Sequence, residues 1–580
     1  MFPFETPAIC AVIGRTRHKM MQAEIAEAGK QGARLIELRL DFLSKPPDFK
    51  RLLDGRPCPL IATFRRPVDG GQWRSSEDQR LMLIRQAIVA GFDYVDLESD
   101  IIDKIPRFGR VKRIVSYHNI REVPANLEEL HRQMCAADAD VVKIVVTAQS
   151  AADNLRLLAL LKDAPKPTVA FCMGDLGVCS RVLGVRLGMP YTYGAFNKER
   201  QIAPGILSFT DLQKTFGVER INPDTKVFGV IGDPIGHSLS PLIHNAAFKK
   251  LGINAVYVPF RVPRGELPTF LTGFQTIPVQ GYSVTLPHKE GAAKFAASPS
   301  TLLAGGASAG HADPSPSTLL AGSASAGHAD PSPSTLLAGS ASAGHADPSL
   351  ALPANGAANT LIATPSGFRA YNTDAQAALD SLQANLPLGS DNQQVALASR
   401  KTLILGAGGV ARAIAFALHQ EGVYITITNR TDDRGQKLAE EVGCKFVTWP
   451  ARHQVECDLV INCTSVGMTP NLDEMPVHQS FLIPERMIFD TIYTPETTML
   501  IREARIRGAH TLTGVDMFVR QAGLQFELFT GQAPPLDLMA AVVRKALSPV
   551  HVKDDGEVES AGSNRVLPGS EEPGTTSGQP

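Results

Sequence analysis

The 580-residue chain lacks the features that tie a protein to nucleic acid or to a bilayer. Its 57 Lys and Arg against 58 Asp and Glu leave a formal charge of −1, with no basic stripe interleaved with aromatics. That excludes a polyanion-binding surface, so no nucleic-acid partner is expected. No apolar run is long enough to span a bilayer, and the opening Met1-Phe-Pro-Phe-Glu-Thr-Pro has no basic signal region. Eight cysteines are scattered without a CxxC pair, which excludes a disulfide framework and a zinc site. A cytoplasmic protein that holds no metal and binds no membrane is expected. What is present is an apolar content of 44%, ample for buried cores, in a length that predicts two to four domains.

Residues 1–218 alternate short β-rich runs with amphipathic stretches. The runs are Ile9–Gly14, Leu35–Asp41, Leu60–Arg65, Tyr94–Glu98, Arg113–His118, Val141–Val146, Thr168–Met173 and Tyr191–Phe196. Between them lie helical patterns such as Lys19–Gly32, Glu77–Gly91, Leu127–Ala137 and Ala151–Leu161. Eight strands with helical crossovers in about 200 residues predict a (β/α)8 barrel, whose reacting groups sit at the carboxyl ends of its strands. Glu37, Arg39, Arg65, Asp96, Glu98, His118 and Lys143 all fall at or near such ends.

Lys143 interrupts the apolar strand Val-Val-Lys-Ile-Val-Val, so its side chain is expected in the barrel mouth. Burial lowers an amine's pKa and frees it to attack a ketone as a Schiff-base nucleophile. His118, one strand earlier, is placed to move a proton beside the resulting iminium. The alternative is a structural lysine paired with Glu98 or Asp96.

At these residues the region resembles type I 3-dehydroquinate dehydratase. The resemblance rests on Glu37-Leu-Arg39-Leu-Asp41, Thr63-Phe-Arg65, Asp69-Gly-Gly71, Ser116-Tyr-His118, Lys143, Ser180-Arg181 and Ala203-Pro-Gly205, in family order. It implies Lys143 as the Schiff-base lysine and His118 as base and acid. It also implies that Arg181 grips the substrate carboxylate while Glu37, Arg39 and Arg65 position the ring. Asp69 stands where the family usually has Glu. Ile202 and Ile206 stand where it has Ser or Thr and Gln, two polar groups that normally touch substrate. Each lost contact costs on the order of 1–3 kcal/mol.

After a polar connector, residues 226–386 are read as a second domain. Lys226–Gly232 begins it as a strand, and the strand Ala255–Phe260 and the helix Arg264–Phe274 continue the alternation. Ser238 and Ser240, spaced i, i+2 before a Pro at a helix start, suit carboxylate capture, with N-capping by Ser240 as the alternative. Gly281-Tyr-Ser-Val-Thr-Leu-Pro-His-Lys-Glu290 reads as a strand ending at Thr285 and a turn that presents Lys289. Asp374 heads the helix Ala375–Leu386, either as its cap or as a proton-sharing partner of Lys289. Between them, residues 300–350 hold three near-identical copies of a 17-residue Ala/Ser/Gly/Pro-rich unit. Each has too little apolar surface to offset ordering entropy, so a disordered insertion is expected.

Residues 400–514 carry a dinucleotide pattern. Lys401–Leu405 leads into Gly406-Ala407-Gly408-Gly409-Val410-Ala411, a G-x-G-x-x-A turn between strand and helix. The next strand, Tyr424–Thr428, ends in Asn429-Arg430-Thr431. No acid stands there to hold a ribose hydroxyl and an Arg suits a 2′-phosphate, so NADP is expected over NAD. Thr464 is placed to border the nicotinamide, and Tyr493 and Gly514 close the unit. Residues 515–548 are read as helices returning to the second domain and 549–580 as a disordered tail.

Residues 226–548 resemble shikimate dehydrogenase. The resemblance implies that Ser238, Ser240, Thr285, Asn359, Asp374, Tyr493 and Gln521 bind substrate and that Lys289 and Asp374 form the catalytic pair. It places NADP on Gly406–Ala411, Asn429, Arg430, Thr431, Thr464 and Gly514. Ser283 replaces the Asn commoner in bacterial enzymes. The two resemblances are consecutive, which implies a bifunctional enzyme. It would convert 3-dehydroquinate to 3-dehydroshikimate and then reduce that ketone to shikimate with NADPH, as a monomer or homodimer. The alternatives are a chain with only the dehydrogenase half active, on shikimate or quinate, and a non-catalytic metabolite-binding regulator.

Overall fold

The computed structural model describes residues 6–196, 203–277, 279–297, 356–386 and 396–548, with short strand segments at 550–552 and 558–560. The three repeats, Ile202 and the rest of the tail lie outside the described residues.

Eight parallel strands open the chain: β1 (Ala8–Ile13), β2 (Leu35–Arg39), β3 (Leu60–Thr63), β4 (Tyr94–Glu98), β5 (Lys112–Asn119), β6 (Val141–Thr147), β7 (Thr168–Met173) and β8 (Tyr191–Ala195). Their hydrogen-bonded order is β7-β6-β5-β4-β3-β2-β1-β8, the predicted barrel. The strands are buried along nearly their whole length because helices cover one face and lumen side chains the other. Lys143 lies nearer the middle of its strand than expected. It is the third of seven residues in β6, paired in register with Ser116 of β5, and projects into the lumen from within the wall.

The second unit is a five-stranded sheet of order β10-β9-β11-β12-β13, where β9 is Lys226–Gly232, β10 Ala255–Arg261, β11 Val279–Val284, β12 Thr360–Thr364 and β13 Gly367–Tyr371. β9 pairs in parallel with β10 and β11, and β12 and β13 run antiparallel. The third unit is an all-parallel sheet of order β16-β15-β14-β17-β18-β19. Here β14 is Lys401–Leu405, β15 Tyr424–Thr428, β16 Lys445–Phe446, β17 Leu459–Asn462, β18 Met487–Asp490 and β19 His510–Leu512. The strand order reverses between β14 and β17, the switch point where such sheets bind ligands. Helices Gly514–Thr530 and Leu536–Leu547 pack Val515, Phe526 and Met539 against Phe228, Ile243 and Phe248 of the five-stranded unit. No helix among the described residues is long and apolar enough to cross a membrane.

The barrel and the five-stranded sheet share one hydrophobic core. Arg186 of the barrel donates to the Thr225 carbonyl (2.7 Å), and Arg261 of β10 reaches both Asp175 of the barrel (3.3 Å) and Asp233 (2.8 Å).

Three local expectations are corrected. β11 ends at Val284, and Lys289 is the first residue of the helix Lys289–Ala297 and not part of the turn, because Thr285–His288 complete the reversal. The helix expected at Arg264–Phe274 begins at Leu267, followed by a 3-10 turn at Phe274–Thr276. The helix Thr373–Asn385 is capped by Asn372, whose side chain accepts from the Asp374 N–H (3.0 Å), so Asp374 is released from capping.

Candidate active sites

In the barrel, Lys143 Nζ donates to Glu37 Oε2 and to Asp96 Oδ2, each at 3.0 Å, and sits 4.1 Å from the Tyr193 ring centroid. The structural pairing weighed for Lys143 is therefore present with Asp96 and absent with Glu98. Glu98 is taken by Arg65 (3.0 Å) and Arg80 (2.7 Å). Burial alone would raise the Asp96 carboxyl, but Arg65 and Lys143 together hold it well below the usual carboxylate range. Ser116 Oγ also donates to Asp96 (2.5 Å).

His118 lines the same cavity, its Nδ1 buried and unpartnered among the described residues. Burial, reinforced by the Arg65 and Lys143 charges, holds it well below the ordinary imidazole value, so at neutral pH it is a base. Arg181, fully buried on the helix Val178–Arg186, has Nε and Nη1 without partners among the described residues and lies 4.2 Å from the Phe171 ring. Burial pulls its pKa down to about 10. An unpaired buried guanidinium at a cavity wall is a ready anion site, since a planar carboxylate answers its fork. Glu37, Arg39 and Arg65 also line this cavity, but each is already engaged. Arg39 is bidentate to Asp41 (2.9 and 2.8 Å), and Arg65 is held by Asp96 and Glu98.

The mouth is bordered by Ala203, Pro204 and Ile206. Gly205 sits at φ +67 with its Cβ position 2.3 Å from the Gly174 carbonyl oxygen, so no side chain fits there. Ile206 offers the cavity only hydrocarbon. Asp69 lines the cavity too, with Oδ2 accepting from Arg66 Nε (2.7 Å).

The second cavity lies between the five-stranded unit and the parallel sheet. It gathers Ser238, Ser240, Thr285, Lys289, Asn359, Asp374, Tyr493, Gln521, Val410 and Gly514, all expected from the sequence. Lys289 Nζ is 2.5 Å from Asp374 Oδ2, and Asn359 Nδ2 donates to Asp374 Oδ1 (2.9 Å). Ser240 is the first residue of its helix and makes no capping bond, whereas Ser238 Oγ accepts the Ser240 N–H (3.3 Å). The capping alternative for Ser240 is thereby set aside. Tyr493 stacks on Phe518 at 4.6 Å and 15°. Ser283 and Gln525 also line this cavity and were not expected as site residues. Gln525 lies one helical turn beyond Gln521, so the i, i+4 spacing was the available signal.

The glycine turn is shaped for a phosphate-bearing ligand. Gly406 adopts φ +113, and a Cβ there would lie 2.9 Å from the Cys463 carbonyl oxygen and 3.3 Å from Thr464 Cγ2. At Gly408 and Gly409 the Cβ positions meet nothing within 4 Å, leaving open space at the amino end of the helix Gly409–Gln420. Arg430 is exposed just past β15, and Asn429 Nδ2 is turned to the Thr431 carbonyl (2.8 Å).

Four family models match stretches of the chain. The family model of type I 3-dehydroquinase matches residues 9–223, and that of the shikimate dehydrogenase substrate-binding domain matches 230–306. The shikimate/quinate 5-dehydrogenase model matches 389–490 and the shikimate 5′-dehydrogenase C-terminal model 514–544. The chain is 33% identical over 558 residues to a bifunctional 3-dehydroquinate dehydratase/shikimate dehydrogenase, chloroplastic, of Arabidopsis thaliana, covering 93% of this chain and 84% of that one. It is 32% identical over 332 residues to a shikimate dehydrogenase (NADP(+)) of Methanosarcina barkeri, covering 56% of this chain and 99% of that one. A solved shikimate 5-dehydrogenase from Thermus thermophilus, in complex with NADP(H) and shikimate, is 28% identical over 56% of this chain and 100% of that one, with a TM-score of 0.42. Spanning a dehydratase barrel and a complete dehydrogenase in one polypeptide, the chain belongs to the family of bifunctional 3-dehydroquinate dehydratase/shikimate dehydrogenases.

Proposed function

We propose that the barrel dehydrates 3-dehydroquinate and that the C-terminal half reduces the resulting 3-dehydroshikimate with NADPH. The observation that carries the reading is a pair of lysines, Lys143 buried between Glu37 and Asp96 and Lys289 half-buried against Asp374, each at the wall of its own cavity.

In the barrel the Lys143 ammonium must release a proton before it attacks the ketone. Glu37 and Asp96 are in reach, and Asp96 is the poorer base because Arg65 keeps it ionised. Loss of water from the carbinolamine leaves an iminium conjugated to the lysine. Neutral His118 takes the ring proton and returns it to the departing hydroxyl, and water then frees the product and Lys143. Arg181 holds the carboxylate, which anchors the ring against the Ile206 mouth.

In the second site, NADPH supplies hydride when bound. Gly406 allows the tight turn, Gly408 and Gly409 would leave room for its pyrophosphate, and Arg430 and Thr431 would hold its 2′-phosphate. Lys289 delivers a proton to the developing alkoxide, and Asp374 holds Lys289 in place. Ser238, Ser240, Thr285, Asn359, Tyr493 and Gln521 orient the ring. The test is a coupled assay: with 3-dehydroquinate and NADPH as the only reactants, shikimate should form and NADPH be consumed. NADPH oxidation that requires added 3-dehydroshikimate would leave only the reductase reading.

Ile206 favours that second reading, since it withholds a hydrogen bond from the barrel's substrate. The Ile206→Gln variant is expected to lower the dehydratase KM roughly tenfold, the scale of one recovered hydrogen bond, with little change in kcat. Steady-state kinetics on purified protein checks this.

The depressed pKa of His118 sets the acid side of the dehydratase profile. A group whose folded pKa lies below its unfolded value keeps its neutral form to lower pH, so kcat/KM is expected to hold its plateau through pH 6. The same shift makes the unfolded chain the better proton acceptor as pH falls below the ordinary imidazole value, so His118 erodes barrel stability in acid. An acid limb centred at or above pH 6.5 would contradict the assignment.

A further inference from the structure

Six fully or nearly buried polar side chains in the reductase unit form one continuous chain, and each bond in it can run only one way. Tyr257 of β10 donates to Ser283 Oγ of β11 (2.6 Å), and Ser283 donates to Gln525 Oε1 (2.7 Å). Gln525 Nε2 donates to the Asn359 carbonyl (3.1 Å) and to Thr360 Oγ1 (3.0 Å). Thr360 donates to Asn359 Oδ1 (2.8 Å), and Asn359 Nδ2 donates to Asp374 Oδ1.

The directions are forced from the ends. A backbone carbonyl only accepts, so the Gln525 amide must face Asn359 with its nitrogen, which leaves Oε1 toward Ser283. The Thr373 N–H donates to Asn359 Oδ1 (2.9 Å), fixing that amide in the same way. An amide oxygen cannot donate, so the Ser283 proton goes to Gln525. Ser283 then has no proton for Tyr257, so Tyr257 must be the donor.

Ser283 and Gln525 both line the cavity, yet every proton they own is spent inside the chain. What remains for a ligand is lone pairs. We propose that this wall is acceptor-only and selects a ring substrate by a hydroxyl that donates to it, with Tyr257 as the positioning residue that pins Ser283. Tyr257 touches no ligand. Its phenol is completely buried, and its hydroxyl holds Ser283 Oγ in place, occupies one of its lone pairs and also meets the Ser240 hydroxyl. This inference rests on the reductase reading above.

The polarity is open to direct test with ketone substrates in which each ring hydroxyl in turn is replaced by hydrogen or by fluorine. Fluorine resembles a hydroxyl in size and accepts weakly, but it cannot donate. At the position that faces Ser283, both replacements should lower kcat/KM equally, on the order of tenfold, with the loss in KM. Ser283→Ala should bring the natural substrate down to the level of those analogues and abolish the difference between them. Tyr257→Phe should show a smaller loss in KM for the ketone with the NADPH KM unchanged. In a Ser240→Ala background, which removes the other hydroxyl that meets Tyr257, Tyr257→Phe/Ser283→Ala should match Ser283→Ala, because a residue acting through Ser283 has nothing left to act on.

A fluoro analogue that matches the natural substrate at every position would overturn the proposal. So would Tyr257→Phe and Ser283→Ala losses that multiply in the Ser240→Ala background, which would mark Tyr257 as a packing residue. If the unmodified protein reduced no ring ketone at all, the reductase reading itself would have failed.

Discussion

Lys143→Ala should abolish dehydratase turnover, roughly 10^4-fold or more, while reduction of 3-dehydroshikimate by the other half is untouched. A covalent route has no substitute when its nucleophile is removed, so the loss exceeds that of a positioning group. Alanine also strands Glu37, which loses the ammonium as its ion-pair partner, whereas Asp96 keeps Arg65 and Ser116. Breaking a buried ion pair from one side costs about 3–5 kcal/mol, so part of any loss would come from a destabilised barrel. Lys143→Arg separates the two effects. A guanidinium keeps the charge facing both carboxylates but cannot form the imine. The arginine variant should therefore melt near the wild-type temperature and still turn over no dehydroquinate. Borohydride added with dehydroquinate should fix a mass adduct on the wild-type barrel and none on either variant. An adduct on Lys143→Arg would place the Schiff base elsewhere and sink the assignment.

Much of this was legible along the chain, and what was not has a common cause. The barrel strands announced themselves because a strand buried on both faces is a nearly continuous apolar run, and Lys143 is conspicuous inside one. The glycine turn was legible for a similarly local reason, since φ +113 at Gly406 is a demand made within one turn. What stayed hidden were commitments between residues far apart in sequence. Arg65 read as a free substrate ligand, yet Asp96 and Glu98, both on β4, hold it. Asp374 read as either cap or partner, and the choice fell to its neighbour Asn372, which took the cap. Gln525 looks like one more polar residue on an amphipathic helix until Ser283, 242 positions earlier, is seen to donate to it. Spacing rules report faces of single elements, whereas hydrogen-bond partners are chosen by the tertiary fold.

Removing the reductase lysine should produce the second large effect. Lys289→Met is expected to lower kcat for ketone reduction by about 10²–10⁴-fold, the range for losing a positioned general acid. The thioether chain fills similar space, so Asn359 and Gln521 still meet the ring and the ketone KM should move little. Asp374→Asn should be milder in stability than in rate. Its Oδ1 still accepts from Asn359 Nδ2, and Asn372 rather than Asp374 caps the helix, so the fold loses one charge-assisted bond. What it loses in function is the anion that holds Lys289 Nζ at 2.5 Å. Because the two groups act as one proton-handling unit, their losses should not multiply. The double variant should fall within about tenfold of Lys289→Met alone. Multiplicative losses would mean that Asp374 acts on substrate by itself, as an acceptor for a ring hydroxyl. Dehydratase activity is the internal control in every case. The barrel cavity is lined by none of these residues, so its turnover should be unchanged even where reduction has all but ceased.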